Sequence, residues 1–152
     1  MYPVRLVAVG RPKLEPLREL EKHYLTLLKG HARLTLVELP EGRGDPQRQL
    51  RDEAERIRPQ LKLASCPVLL SADGPPRSSE DFARWLGARM DRGDGLAFAV
   101  GSSHGFDPAL KAEVREHLSL SPMTWPHDLS RVLFLEQLYR AFSILKGSPY
   151  HK

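Results

Sequence analysis

Residues 96–108 read Leu-Ala-Phe-Ala-Val-Gly-Ser-Ser-His-Gly-Phe-Asp-Pro. Leu96 to Val100 is apolar throughout, so as a strand this segment has no side made for water and must be covered on both faces. Gly101 and Gly105 let the backbone turn sharply, and Asp107-Pro108 is an N-cap followed by the residue best suited to a first helical turn, opening a helix to about His117. Strand, glycine-rich turn and helix in that order form the unit from which parallel sheets with helical crossovers are built.

Working outward, the same unit recurs. Pro67 to Ala72 predicts a strand, Asp73-Gly-Pro-Pro76 a loop, and Ser78 or Ser79 caps a helix that turns Phe82, Trp85, Leu86 and Met90 inward, with Glu80 and Asp81 at its positive end. Val4 to Val9 predicts the first strand, closed by Gly10, and Leu14, Leu17, Leu20, Tyr24, Leu25 and Leu28 recur at helical spacing before Gly30. Leu34, Leu36 and Leu39 mark the next strand. After the turn-forming Pro40 to Pro46 comes a helix with Leu50, Ala54, Ile57 and Leu61 on one face, which Pro59 is expected to kink or shorten. Arg48, Arg51, Arg56 and Arg58 alternate there with Asp52, Glu53 and Glu55, the pattern of a solvated face rather than an RNA-binding stripe. Leu118 to Thr124 predicts a shorter strand, and Leu129 to Leu145 a long amphipathic helix ended by Gly147 and Pro149.

The expected fold is α/β, a mostly parallel sheet with helices on both faces, in one domain spanning residues 1–152. At 41% hydrophobic and 28% charged the composition suits a packed core and excludes disordered, collagenous and disulfide-scaffold classes. No apolar run reaches the roughly 18 residues of a membrane span, and the first residues do not read as an export signal. Cys66 is the lone cysteine, so neither an internal disulfide nor a cysteine zinc site is expected, and a cytoplasmic location follows. The formal charge of +4 mildly favours a polyanionic partner.

In parallel sheets ligands sit at the carboxyl ends of the strands. The loops expected there are Gly10-Arg-Pro, 73–76, 101–105 and 122–127. Gly101-x-Ser103-x-Gly105 admits three readings: a ligand loop with exposed amides, a serine-hydrolase nucleophile elbow, or a plain turn. A triad of Ser103, Asp128 and His151 can be written for the second, although an elbow's helix starts at the nucleophile and Asp107 places the cap later. The spacing is not that of a dinucleotide fingerprint.

The last third combines aromatic and basic groups. Trp125 or Tyr150 can stack on a base while Arg131, Arg140, His151 and Lys152 meet phosphate charge. Equally, Trp125 and Tyr139 can be core, Arg131 and Arg140 can pair with Asp128 and Glu136, and His127 can bond to its loop neighbours. His104, His127 and His151 lack metal-ligand spacing, so no metal is expected.

Together these segments resemble the RlmH family, SPOUT-class methyltransferases that modify a pseudouridine of large-subunit (23S) ribosomal RNA. The resemblance rests on Leu6-Val-Ala-Val-Gly10, Ser78-Ser-Glu-Asp-Phe-Ala83, Phe98-Ala-Val-Gly101, Leu118-Ser-Leu-Ser-Pro-Met-Thr-Trp-Pro-His127, and Arg131 through Glu136-Gln-Leu-Tyr-Arg-Ala141 to Gly147-Ser-Pro-Tyr-His-Lys152. It implies a C-terminal trefoil knot, S-adenosyl-L-methionine held in it, and a homodimer. It places cofactor contacts on Leu70, Gly101, Leu120, Ser121, Pro122, Met123, Thr124 and Trp125. Substrate contacts fall on Glu136, Arg140, Tyr150, His151 and Lys152, with Arg140 and His151 the catalytic candidates. By the same resemblance the substrate is 23S rRNA, methylated at N3 of the base; a domain this small with a charge of only +4 is expected to recognise it on an assembled ribosomal particle rather than as naked RNA. A non-catalytic ribosome-binding module is the remaining alternative.

This chain departs from that family's usual pair of glycines by carrying Ser102 after Gly101. If position 102 requires a positive φ, Ser102 carries roughly 1–2 kcal/mol of strain.

Overall fold

The computed structural model describes residues 1–152, in which five strands and five helices alternate. The strands are β1 (Tyr2–Val9), β2 (Ala32–Leu39), β3 (Cys66–Leu70), β4 (Leu96–Val100) and β5 (Glu116–Leu118). The helices are α1 (Glu15–Leu28), α2 (Pro46–Leu61), α3 (Ser79–Asp91), α4 (Pro108–Glu113) and α5 (His127–Leu145). All pairings are parallel, in the order β2-β1-β4-β3-β5. β4 is central and buried at every position.

Its alternation sorts the two faces by size. Leu96, Phe98 and Val100 join Leu6, Val68, Phe82, Leu86, Phe134 and Leu138 beneath α1, α3 and α5. Ala97 and Ala99 point the other way and, with Val7, Val9 and Leu69, let Ile57 and Leu61 of α2 and Leu110 of α4 pack closely. Ser78 supplies the α3 cap, its Oγ accepting from Asp81 N at 3.0 Å. Asp45 caps α2 by accepting from Arg48 N at 3.0 Å.

The C-terminal segment passes through a loop. Ser71 N donates to the Leu118 carbonyl at 2.9 Å on one side of the segment. Ser119 N donates to the Pro75 carbonyl at 3.4 Å on the other, and Pro76 bridges to Ser119. Residues 71–78 thus wrap around residues 117–119, and the chain returns as α5 between α1 and α3. Gly74 makes the wrapping possible, since a Cβ there would lie 2.9 Å from the His117 Cβ.

Several boundaries differ from expectation. The strand predicted over Leu118 to Thr124 is instead Glu116–Leu118, and residues 119–126 form a loop. This edge segment has no further strand to pair with. Its serines bond locally, Ser119 Oγ donating to the Ser121 carbonyl at 2.8 Å and Met123 N to Ser121 Oγ at 3.0 Å. α4 stops at Glu113 rather than near His117, because Val114 is already extended toward β5. Pro59 does not end α2, which continues to Leu61: the proline stands in the last turn, where one lost backbone bond matters little. No helix is long and apolar enough to cross a membrane.

Candidate active site

A cavity of about 560 Å³ opens at the carboxyl ends of β3, β4 and β5, within the size range of small-molecule sites. Three loops wall it. Leu70 to Asp73 leave β3, Gly101 to Ser103 and Gly105 leave β4, and the 119–126 loop contributes Leu120, Ser121, Met123, Thr124 and Trp125 before His127 and Ser130 of α5. Of the eight cofactor positions implied by resemblance, only Pro122 is absent from the wall. Asp73, from the 73–76 loop expected there, and Phe106, from the quoted 96–108 stretch, also line it, as do Ser71, Lys111 and Ser130, which had no motif to mark them.

The β4 turn is shaped by backbone. Gly105 takes φ +82° and its N–H donates to the Ser102 carbonyl at 2.9 Å, while a Cβ at Gly101 would stand 2.4 Å from the Gly105 carbonyl oxygen. Ser102 carries no left-handed strain, because no residue other than glycine has a positive φ; the anticipated penalty is absent. Backbone N–H groups of Leu120, Thr124 and Trp125 have no partner within the chain. Loop N–H groups without a protein partner are open to water or to a ligand. At the rim Lys111 pairs with Asp73, and that ammonium holds the Asp73 carboxyl below its ordinary range.

The second predicted set gathers elsewhere. Arg140 donates through Nη2 and Nε to Glu136 Oε1 at 2.7 and 3.1 Å, and Tyr150 donates its hydroxyl to the same oxygen at 3.0 Å. The Arg140 guanidinium also lies 4.9 Å over the Tyr150 ring. Because Arg140 Nη1 can only donate, His151 Nδ1, 3.2 Å away, accepts, which leaves the ring proton on Nε2 facing Glu80 Oε1 at 2.8 Å. Glu136 raises the pKa of Arg140, which stays cationic. Burial, then the bond to Glu136, pushes Tyr150 far above 10.0, so it stays a phenol.

None of Glu136, Arg140, Tyr150, His151 and Lys152 lines the cavity. Along α5 the last wall residue is Ser130, and at 1.5 Å per residue Glu136 and Arg140 lie about 9 and 15 Å further on. One chain therefore does not unite the two sets. Between them runs a groove of about 430 Å³, floored by Phe82, Leu129 and Leu133, edged by Arg77, Ser79 and Gln137, and sharing Trp125 with the cavity.

The triad is not assembled either. Asp128 Oδ2 accepts from Lys13 N at 3.2 Å and Oδ1 faces His127, while both His151 nitrogens are engaged as above. The helix after the turn begins at Pro108, as no nucleophile elbow has it. His127 is the first residue of α5; its Nε2 lies 3.0 Å from Asp128 Oδ1 but out of hydrogen-bonding alignment.

Other pairings also differ from the sequence reading. Arg140 does pair with Glu136, but Arg131 pairs with Glu21 and Glu38 rather than Asp128 and also donates to the Gly10 carbonyl at 3.1 Å. Trp125 is 38% exposed rather than core. Glu53, expected on a solvated face, is buried. No three His, Cys, Asp or Glu side chains converge as a metal site would need.

A sequence family described as predicted SPOUT methyltransferase matches residues 2–151. The chain is 41% identical to the ribosomal RNA large subunit methyltransferase H of Rhizobium meliloti, over 98% of each chain. Its identity to the protein of the same description in Gluconacetobacter diazotrophicus is also 41%, over 98% of this chain and 97% of that one. Among solved structures, a putative methylase family protein from Neisseria gonorrhoeae superposes with a TM-score of 0.56 at 12% identity, covering 91% of this chain and 81% of that one, a likeness of fold alone.

Proposed function

We infer the activity from one premise: this chain belongs to the SPOUT methyltransferase family. It is an S-adenosylmethionine-dependent methyltransferase of large-subunit ribosomal RNA. We propose further that the cavity at the ends of β3, β4 and β5 receives the cofactor and that the target is N3 of a pseudouridine in 23S rRNA, methylated on an assembled particle in the cytoplasm. The observation carrying this reading is the cavity itself, a backbone-lined receptacle whose Gly101 leaves no room for a side chain and whose N–H groups at Leu120, Thr124 and Trp125 are free.

When bound there, S-adenosylmethionine supplies a methyl already activated by its sulfonium. What remains for the protein is alignment, worth on the order of 7–11 kcal/mol when well made, and help with the N3 proton. Arg140 is a permanent cation beside which an anionic ring is favoured. Tyr150 stays protonated, Glu136 Oε1 already accepts three hydrogen bonds, and His151 Nδ1 is occupied by Arg140. The cluster therefore presents a fixed guanidinium, already paired with Glu136, and shape rather than a base, which leaves the N3 proton to water.

The distance along α5 from Ser130 to Arg140 supports a homodimer in which the tail cluster of one copy meets the cavity of the other. The apolar groove at Leu129 and Leu133 is continuous with the cavity through Trp125, which suits that pairing. Calorimetric titration with S-adenosylmethionine, then mass spectrometry of 23S rRNA from ribosomes of a strain lacking the gene before and after incubation with protein and cofactor, tests the reading. Saturable binding and one new methyl on a pseudouridine are expected. No binding, or a methyl on another base, overturns it.

A further inference from the structure

Glu53 is 2% exposed in the middle of α2, with no cation among its partners. Its Oε2 accepts from Gly42 N at 2.9 Å and Gln49 Nε2 at 3.3 Å. Its Oε1 is left to a single donor, Ser102 Oγ at 2.7 Å, a short charge-assisted bond made in a buried setting. Ser102 is itself 4% exposed and lines the cofactor cavity. A buried carboxylate with three donors and no cation is costly to desolvate, so the protein holds it there only because the network is complete.

The network joins the turn after β2 to the turn after β4. Gly42 sits tightly against α2, a Cβ there falling 2.2 Å from the Gln49 carbonyl oxygen, so the turn after β2 is fixed on the same helix that carries Glu53. Ser102 starts the 102–105 turn that closes against Gly101. Pulling Ser102 toward α2 therefore sets where the Gly101–Ser103 backbone stands relative to the 119–126 loop across the cavity.

We propose that Glu53 is a positioning residue for cofactor binding, acting through Ser102 to hold the β4 turn. This rests on the reading that the cavity takes S-adenosylmethionine. Ser102→Ala leaves the turn without its tether, and Glu53→Met has no polar atom to meet either Ser102 or Gly42, whereas a glutamine could accept from Gly42 and donate to the Ser102 hydroxyl.

The test is a double-mutant cycle read by calorimetric Kd for S-adenosylmethionine, with KM and kcat measured alongside and Tm recorded as a check on folding. Ser102→Ala is expected to weaken cofactor binding about tenfold and raise the cofactor KM equally, with kcat within about twofold. Glu53→Met is expected to weaken it about three- to tenfold, and the double variant no more than the more affected single, since both break one link. An unchanged Kd in Ser102→Ala, effects that multiply in the double, or a Glu53→Met protein that loses only Tm would each overturn the proposal. Wild-type protein that binds no S-adenosylmethionine would overturn the reading of the cavity as well.

Discussion

The cavity wall and the C-terminal cluster meet α5 at different heights and are built on opposite plans. The wall is mostly backbone and apolar surface, with N–H groups at Leu120, Thr124 and Trp125 left for a ligand to use. The cluster is charged side chains that already satisfy one another, Glu136 with Arg140 and Tyr150, His151 with Arg140 and Glu80. A surface with spare donors takes up a partner. A closed network keeps a charge in one place and waits for the partner to be brought to it. The difference fits a division in which one region binds the methyl donor and the other steadies the base.

The largest effect that sharpens this contrast is expected at the wall. Gly101→Val forces a side chain into the Gly105 carbonyl and should reduce S-adenosylmethionine binding more than a hundredfold by calorimetry while leaving ribosome association intact. Arg140→Ala should do the reverse: kcat/KM falls on the order of a hundredfold through lost charge stabilisation, with the cofactor Kd within twofold. Arg140→Lys should not restore it, because an ammonium cannot make both bonds to Glu136. Equal losses of cofactor affinity in Gly101→Val and Arg140→Ala would erase the distinction.

Arg131 belongs to neither region but holds α5 under both. At 2% exposure it meets Glu21 and Glu38. Burial would raise the Glu38 carboxyl, but hydrogen bonds from Arg131 and Arg11 hold it below its ordinary value. Arg131→Met, which leaves those carboxylates without their buried partner, should cost about 3–5 kcal/mol in denaturant unfolding.

The smallest effect concerns Tyr150. Its pKa is raised on folding, so the stability it contributes is full below the ordinary phenol value of 10.0 and is lost as pH climbs above it, where the unfolded chain ionises first. Tyr150→Phe should cost about threefold or less in kcat and flatten the loss of Tm above pH 10. A wild-type Tm that falls no faster than the variant's in that range would contradict it.

Much of the scaffold was legible because it is local. Leu96–Val100 announces a doubly covered strand, Ser78 and Asp107 announce caps, and the Arg140–Glu136 pair is one helical turn apart. What escaped is set by distant neighbours. Glu21 and Arg131 are 110 residues apart, and Glu53 meets Ser102 across 49. Charge alternation along α2 placed Glu53 outside because periodicity cannot see the turn that buries it. The threading of residues 117–119 through the 71–78 loop leaves no trace in hydrophobic pattern, and the short edge strand β5 was overextended for the same reason. At the site, the glycines and the 119–126 loop could be read from sequence, while Asp73 and Lys111 are joined across the rim only by the fold.

The central claim, that the cavity of one copy works with the tail cluster of another, is tested most directly by mixing two inactive proteins. Gly101→Val and Arg140→Ala, refolded together and shown by mass spectrometry to form heterodimers, should recover methyl transfer to large-subunit rRNA that neither variant has alone. Heterodimers as inactive as the separate variants would contradict the account.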